Sequence, residues 1–193
     1  MKKTKAELIF EAFCDSNNIE WEKITEGKKA TPDYKVVFNN ATVYVEVKQI
    51  DKDDNFKEKC SYRTVGSHVR EKIKEARKQL KEASIQGSPA ILLVYNNLDG
   101  LQMFGTEQHD FITAMYGEMT LILDTEKNQI TDHYHGRNHS FNDDKSTYFS
   151  AVGFLYQTKE NVGLTLYENI YAKNKLDFSK LPPCIEAVRI EIE

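Results

Sequence analysis

The sequence predicts an α/β domain with a mixed central sheet, and three observations carry that prediction. Up to Tyr95 the residue periodicities run helix, strand, strand, strand, helix, strand, an order typical of mixed α/β chains. Ala90 to Tyr95 (AILLVY) is the longest uninterrupted apolar run, the mark of a central strand covered on both faces. The 193 residues suit one domain with a sizeable core, at roughly 100 to 200 residues per domain. The expected layout is a single domain over 1–193, with its core over about 5–95 and an elaboration of further strands over about 96–193.

Each element has its own signal. Ala6, Ile9, Phe10 and Phe13 recur at helical spacing between Lys5 and Asn17, and the pair Asn17-Asn18 stops that helix. Ile19 to Thr25 alternates as a short strand, before a loop centred on Gly27 with Lys28 and Lys29. Asp33 to Phe38 and Ala41 to Ile50 are Val- and Tyr-rich strands joined by Asn39-Asn40, a pair that tolerates the left-handed backbone of a tight turn. A charged loop over Asp51 to Val65 leads to a long helix capped by Ser67 and ending near Ser84. Its apolar stripe is Val69, Ile73, Ala76, Leu80 and Ala83, and Arg70, Lys74, Arg77 and Lys81 follow one residue behind, a basic stripe about 100° around the helix. Beyond Tyr95, Phe111 to Tyr116 reads as a short helix and Met119 to Leu123 as a strand. Ser150 to Tyr156 fits either type, Val162 to Tyr167 and Ile185 to Ile192 alternate as strands, and Asp132 to Lys145 is polar and expected as a surface loop.

Composition narrows the function classes. Hydrophobic residues at 40% and charged residues at 29% place the chain with folded globular domains and away from disordered ones. No apolar run approaches the roughly 18 residues of a membrane span, and Glu7 and Glu11 interrupt the N-terminal region where a signal peptide is apolar. Cys14, Cys60 and Cys184 are odd in number and far apart, which fits neither a disulfide framework nor a zinc ribbon and points to a cytoplasmic setting. The net charge of −4 argues against a nucleic-acid partner only as a total. Lys57 to Lys81 holds nine Lys/Arg against three Glu, a local +6, which leaves −10 on the other 168 residues.

The hairpin carries the chemistry. A symmetric turn between Asn39 and Asn40 sets Val36 opposite Val43 and Asp33 opposite Glu46. Glu46 and Lys48 then share a face with Tyr44, while Val43, Val45 and Val47 point to the other. Two carboxylates facing each other need a positive charge between them, and oxygen ligands suit a hard cation such as Mg²⁺. A turn of odd length shifts the register by one and separates the two carboxylates.

Thr31-Pro32-Asp33, a twelve-residue gap and Glu46-Val47-Lys48 at the end of a valine-rich strand resemble the signature of the PD-(D/E)XK nuclease superfamily. That group includes many restriction endonucleases and Holliday-junction resolvases, and the chain looks most like its small bacterial or phage members with no assigned role. The resemblance implies a restriction endonuclease-like core of helix, three-stranded meander, helix and strand. It also implies a metal-dependent DNA endonuclease that uses Mg²⁺, with Mn²⁺ as a substitute. Asp33, Glu46 and the Val47 carbonyl would hold the metal, Lys48 would assist the attacking water, and Glu7, or else Glu11, would be the first-helix acid. Arg70, Lys74, Arg77 and Gln79 on the second helix would contact DNA, and cutting both strands makes a homodimer attractive. The alternative is a catalytically inactive nuclease fold kept as a DNA-binding or assembly module. A rival constellation for Zn²⁺ is Asp132, His133, His135 and His139.

Overall fold

The computed structural model describes residues 3–25, 27, 30–52, 54, 61–84, 86–159 and 161–190. Cys60, Lys28, Lys29, most of the charged stretch over 53–60 and the end of the strand expected over Ile185 to Ile192 lie outside these described residues.

Helix α1 (Lys5–Ser16) opens with a capping box in which the Thr4 hydroxyl accepts from the Glu7 amide and the Glu7 carboxylate accepts from the Thr4 amide. Those bonds satisfy amides that the first helical turn leaves without partners. Strands β1 (Glu20–Lys23), β2 (Tyr34–Phe38) and β3 (Ala41–Ile50) form an antiparallel meander. The turn holds Asn39 at φ 46° and Asn40 at φ 70°, left-handed values that Asn accepts more readily than most residues. The pairs Phe38↔Ala41 and Tyr34↔Val45 follow the even register expected of a symmetric turn.

Helix α2 (Ser67–Ser84) crosses from β3 to the parallel strand β4 (Ala90–Asn96). Its start differs slightly from expectation, because Ser67 lies inside the helix and Gly66, at φ 72°, makes the turn into it. Helix α3 (Gln108–Tyr116) follows, then the ribbon β5 (Met119–Asp124) and β6 (Gln129–His135), then β7 (Ala151–Gln157), β8 (Val162–Glu168), a 3-10 turn over Phe178–Lys180 and β9 (Ile185–Val188).

The main sheet has seven strands in the order β1-β2-β3-β4-β7-β8-β9, parallel at β3/β4, β4/β7 and β8/β9 and antiparallel elsewhere. The protein is therefore α/β with a mixed central sheet. Strand β4 lies at its centre with every residue buried, as its apolar run requires. Alternation divides the core between two faces. Val43, Val45, Val47, Ile91 and Leu93 pack with Phe10 and Phe13 of α1, whereas Ala90, Leu92 and Val94 pack with Val69, Ile73 and Leu80 of α2 and Phe111 of α3.

Two assignments in the second half change. The segment expected as a polar loop from Asp132 contains the end of strand β6, since Gln129 to His135 pairs with β5. Polar side chains do not prevent a strand when backbone partners are supplied across a hairpin. The ambiguous segment near Ser150 is a strand because β4 and β8 pair with it on either side. Among the described residues no helix is long and apolar enough to cross a membrane.

Candidate active site

The hairpin register decides the site. One residue beyond the paired Tyr34 and Val45, Asp33 comes level with Glu46, and its Oδ2 accepts the Val47 amide at 2.9 Å. Lys48, on the same strand face as Glu46, sets its Nζ 2.6 Å from Glu46 Oε1. Both side chains are largely buried, Glu46 almost completely. Glu46 Oε2 is buried and has no hydrogen-bond partner among the described residues.

These groups line a cleft of about 890 Å³ together with Glu7, Lys23, Val47, Gln49, Asp51 and Gln79. Glu7 reaches it from the first turn of α1 and pairs with Lys23 of β1 at 2.5 Å. Glu11, the other first-helix candidate, does not line the cleft. It is buried, accepting the Tyr34 hydroxyl at 2.8 Å and the Lys3 ammonium at 2.6 Å. Gln49 Oε1 accepts the Ala6 amide at 3.0 Å, which ties the start of α1 to the strand that carries Glu46.

The electrostatics show a site short of positive charge. Burial first, and the Asp33 carboxylate second, push Glu46 up to about 7, against the opposing pull of Lys48. Burial also raises Asp33, although the Val47 amide and Lys48 act the other way. At Glu7 burial is outweighed by the Lys23 pair and the Thr4 bonds, so its carboxyl is held below the usual range. For Lys48 burial acts downward, yet Glu46 and Asp33 together hold the ammonium above its ordinary value. Four carboxylates against two lysines line the described part of the cleft. Glu46 Oε2 is an unpartnered carboxylate oxygen, and Gln79 Oε1 is a second buried oxygen with no partner among the described residues; oxygen groups of this kind suit a hard divalent cation. Asp33, Glu46 and the Val47 carbonyl are the residues that would hold it.

Helix α2 contributes to the cleft from one flank only. At about 100° per residue, Gln79 lies on one side of the buried stripe, and Arg70, Lys74, Arg77 and Lys81 centre about 180° from it. Of the four residues expected to contact nucleic acid, the fold brings Gln79 into the cleft and leaves Arg70, Lys74 and Arg77 out of its lining. Arg70 turns instead toward α3, donating to the carbonyls of Asn138 at 2.8 Å and Thr113 at 3.5 Å.

The histidine constellation does not assemble into a metal site among the described residues. His135 Nδ1 lies 2.8 Å from the Gly117 carbonyl and His139 Nδ1 2.9 Å from that of Gly136. A different cluster, Glu107, His109 and Asp110, does come together. It already has its cation, because Arg63 pairs with Asp110 at 2.5 Å and lies 3.7 Å from Glu107. Asp110 also accepts the Gly66 amide at 2.8 Å and the Glu107 amide at 3.1 Å, so this cluster fastens α3 to the start of α2.

Sequence reasoning missed Lys23 and Gln49. Lys23 had a usable signal, since the alternation Trp21, Lys23 puts both on one strand face, and both meet the Tyr34 ring. Gln49 had none, because its role is a bond to a helix 43 positions away. Compared with known protein families, curated proteins and solved structures, the chain finds no match in any of the three.

Proposed function

We propose that the chain is a divalent-cation-dependent endonuclease of the PD-(D/E)XK type, built on a restriction endonuclease-like core, that hydrolyses phosphodiester bonds in DNA. The observation that carries the reading is the buried, unpartnered Oε2 of Glu46 in an open cleft shared with Asp33, Lys48 and Glu7. A buried carboxylate pushed up to about 7 is destabilising on its own and marks a place where a cation belongs. Mg²⁺, with Mn²⁺ as a substitute, would act there as a Lewis acid on a phosphate oxygen and lower the pKa of bound water.

The chain's own groups supply the remainder. Lys48, held by Glu46 at 2.6 Å, keeps one ammonium at the cleft floor, where it orients the attacking water and neutralises charge developing on the phosphate. Asp33 is held in the cleft lining by the Val47 amide. Lys23 holds Glu7 at the cleft wall and offers a second cation to an incoming backbone. Gln79 is the α2 residue set to contact that backbone.

The test is cleavage of plasmid, single-stranded and branched DNA with Mg²⁺ or Mn²⁺, with EDTA as the stop. Lys48→Met is expected to lose at least about a hundredfold in rate. Cation-independent cutting, or a Lys48→Met variant as active as the parent, refutes the assignment. Inactivity of the parent on all three substrates favours the inactive binding or assembly module.

A further inference from the structure

We infer that the cleft continues into a second pocket that takes one unpaired base of the substrate, so that the DNA is single-stranded beside the bond to be cut. This pocket measures about 280 Å³ and shares Lys23, Ile24, Thr25, Thr31 and Pro32 with the cation cleft. The identity of the ligand rests on the nuclease reading, whereas the pocket and its geometry do not.

The register shows how the two spaces line up. Glu22 of β1 pairs with Lys35 of β2, and Lys35 with Tyr44 of β3, so these side chains form one row on a single sheet face. Asp33 and Glu46 form the next row on that face, two residues along each strand and roughly 6.8 Å away. The strand pairing continues to Asp33, whose carbonyl accepts the Ile24 amide at 2.8 Å. Gln79, Glu82, Ala83 and Gln86 recur at helical spacing on one flank of α2 and the turn that ends it. Gln79 lines the cation cleft and the other three line the second pocket. Sheet and helix thus enclose one groove. A strand whose scissile phosphate lies at Asp33 and Glu46 places its neighbouring nucleotide against Lys35 and Tyr44.

The chemistry of the pocket selects a base over a phosphate. Its charged residues are Lys23, Lys35, Glu22 and Glu82, which cancel, so it lacks the positive field that a phosphate requires. Ile24, Pro32, Ala83 and Tyr44 supply apolar and aromatic walls of the kind that bases pack against. The Tyr44 hydroxyl donates to Gln86 Oε1 at 2.6 Å. That bond fixes the amide and leaves its Nε2 hydrogens, which have no partner among the described residues, for an acceptor on a base edge. Width excludes a duplex. Packed layers stand roughly 10 Å apart, whereas the major groove of a double helix is itself roughly 12 Å wide.

The test is fluorescence anisotropy of the full chain in EDTA, where binding is read without cutting. The probes are a short labelled DNA strand of mixed sequence, its duplex, and the same strand with abasic sites. The intact strand is expected to bind at least about tenfold more tightly than either of the others. Gln86→Ala, in an exposed turn, and Tyr44→Leu should each weaken the intact strand at least about fivefold, with no such loss on the abasic strand. The inference is overturned if the intact strand does not bind, if the duplex or the abasic strand binds as tightly, or if both variants bind the intact strand like the parent. Adding Mg²⁺ separates this outcome from the nuclease reading. Duplex cleavage without single-strand preference removes the pocket and keeps the nuclease; single-strand preference in EDTA without cleavage in Mg²⁺ does the reverse.

Discussion

Replacing Glu46 by glutamine measures the electrostatic cost of the site directly. Glu46 is 1% exposed, and its carboxyl rises from an ordinary 4.5 to about 7. Between these values the folded protein keeps a proton that the unfolded chain has released, so stability falls as pH rises through that window and levels off above it. A rise of this size corresponds to about 3 kcal/mol. Glutamine keeps the shape and removes the titration, so Glu46→Gln should lack that part of the fall. The assay is urea unfolding of parent and variant in EDTA at pH 5 and pH 8. With a slope of about 2 kcal/mol per molar urea, the parent should lose up to roughly 1.5 M more in midpoint than the variant between the two pH values. Mn²⁺ at about a hundred times its dissociation constant should return about 2.7 kcal/mol to the parent at pH 8 and little to the variant. If both proteins show the same pH dependence, or if Mn²⁺ stabilises both equally, Glu46 is neither the strained group nor a ligand.

Three further outcomes separate the site from its surroundings. Asp33→Asn retains a carbonyl oxygen for the Val47 amide, so its thermal midpoint should hold while cation-dependent cleavage drops at least about a hundredfold. Arg70→Ala removes the bonds to Asn138 and Thr113 and should cost about 1 kcal/mol in urea unfolding, with cleavage per folded molecule unchanged; a selective loss of cleavage would return Arg70 to the DNA-contacting set. Gly66→Ala sets a Cβ 2.9 Å from the Ala114 amide nitrogen at a positive φ, so its denaturation midpoint should fall by the equivalent of about 2 kcal/mol or more.

The first half of the fold was legible because its signals are local. The bounds expected for β3 match the observed Ala41–Ile50, and those for α2 differ from Ser67–Ser84 only in that Ser67 was expected as the cap, since a two-residue Asn turn and a 4-3-4-3 apolar spacing leave little freedom. The relation of Asp33 to Glu46 followed from the same turn. The second half was less legible because β7 becomes a strand through partners at β4 and β8, the first of them sixty positions earlier, Ile91 pairing with Ala151. The apolar and polar residues of the β5–β6 ribbon are similarly hard to read, since the ribbon has backbone partners but no layer over it among the described residues.

The amino-acid sequence by itself determined the hairpin, its register and therefore which side chains share a strand face, because pairing across a two-residue turn follows from counting. It also determined that α2 carries an apolar stripe with a basic one beside it. Only the tertiary structure decided which flank of α2 meets the cleft. A helical pattern places two flanks symmetrically about its buried stripe, and docking of the β3-α2-β4 crossover on the sheet turns one of them toward Glu46. That docking brings Gln79 into the cleft and sends Arg70 toward α3.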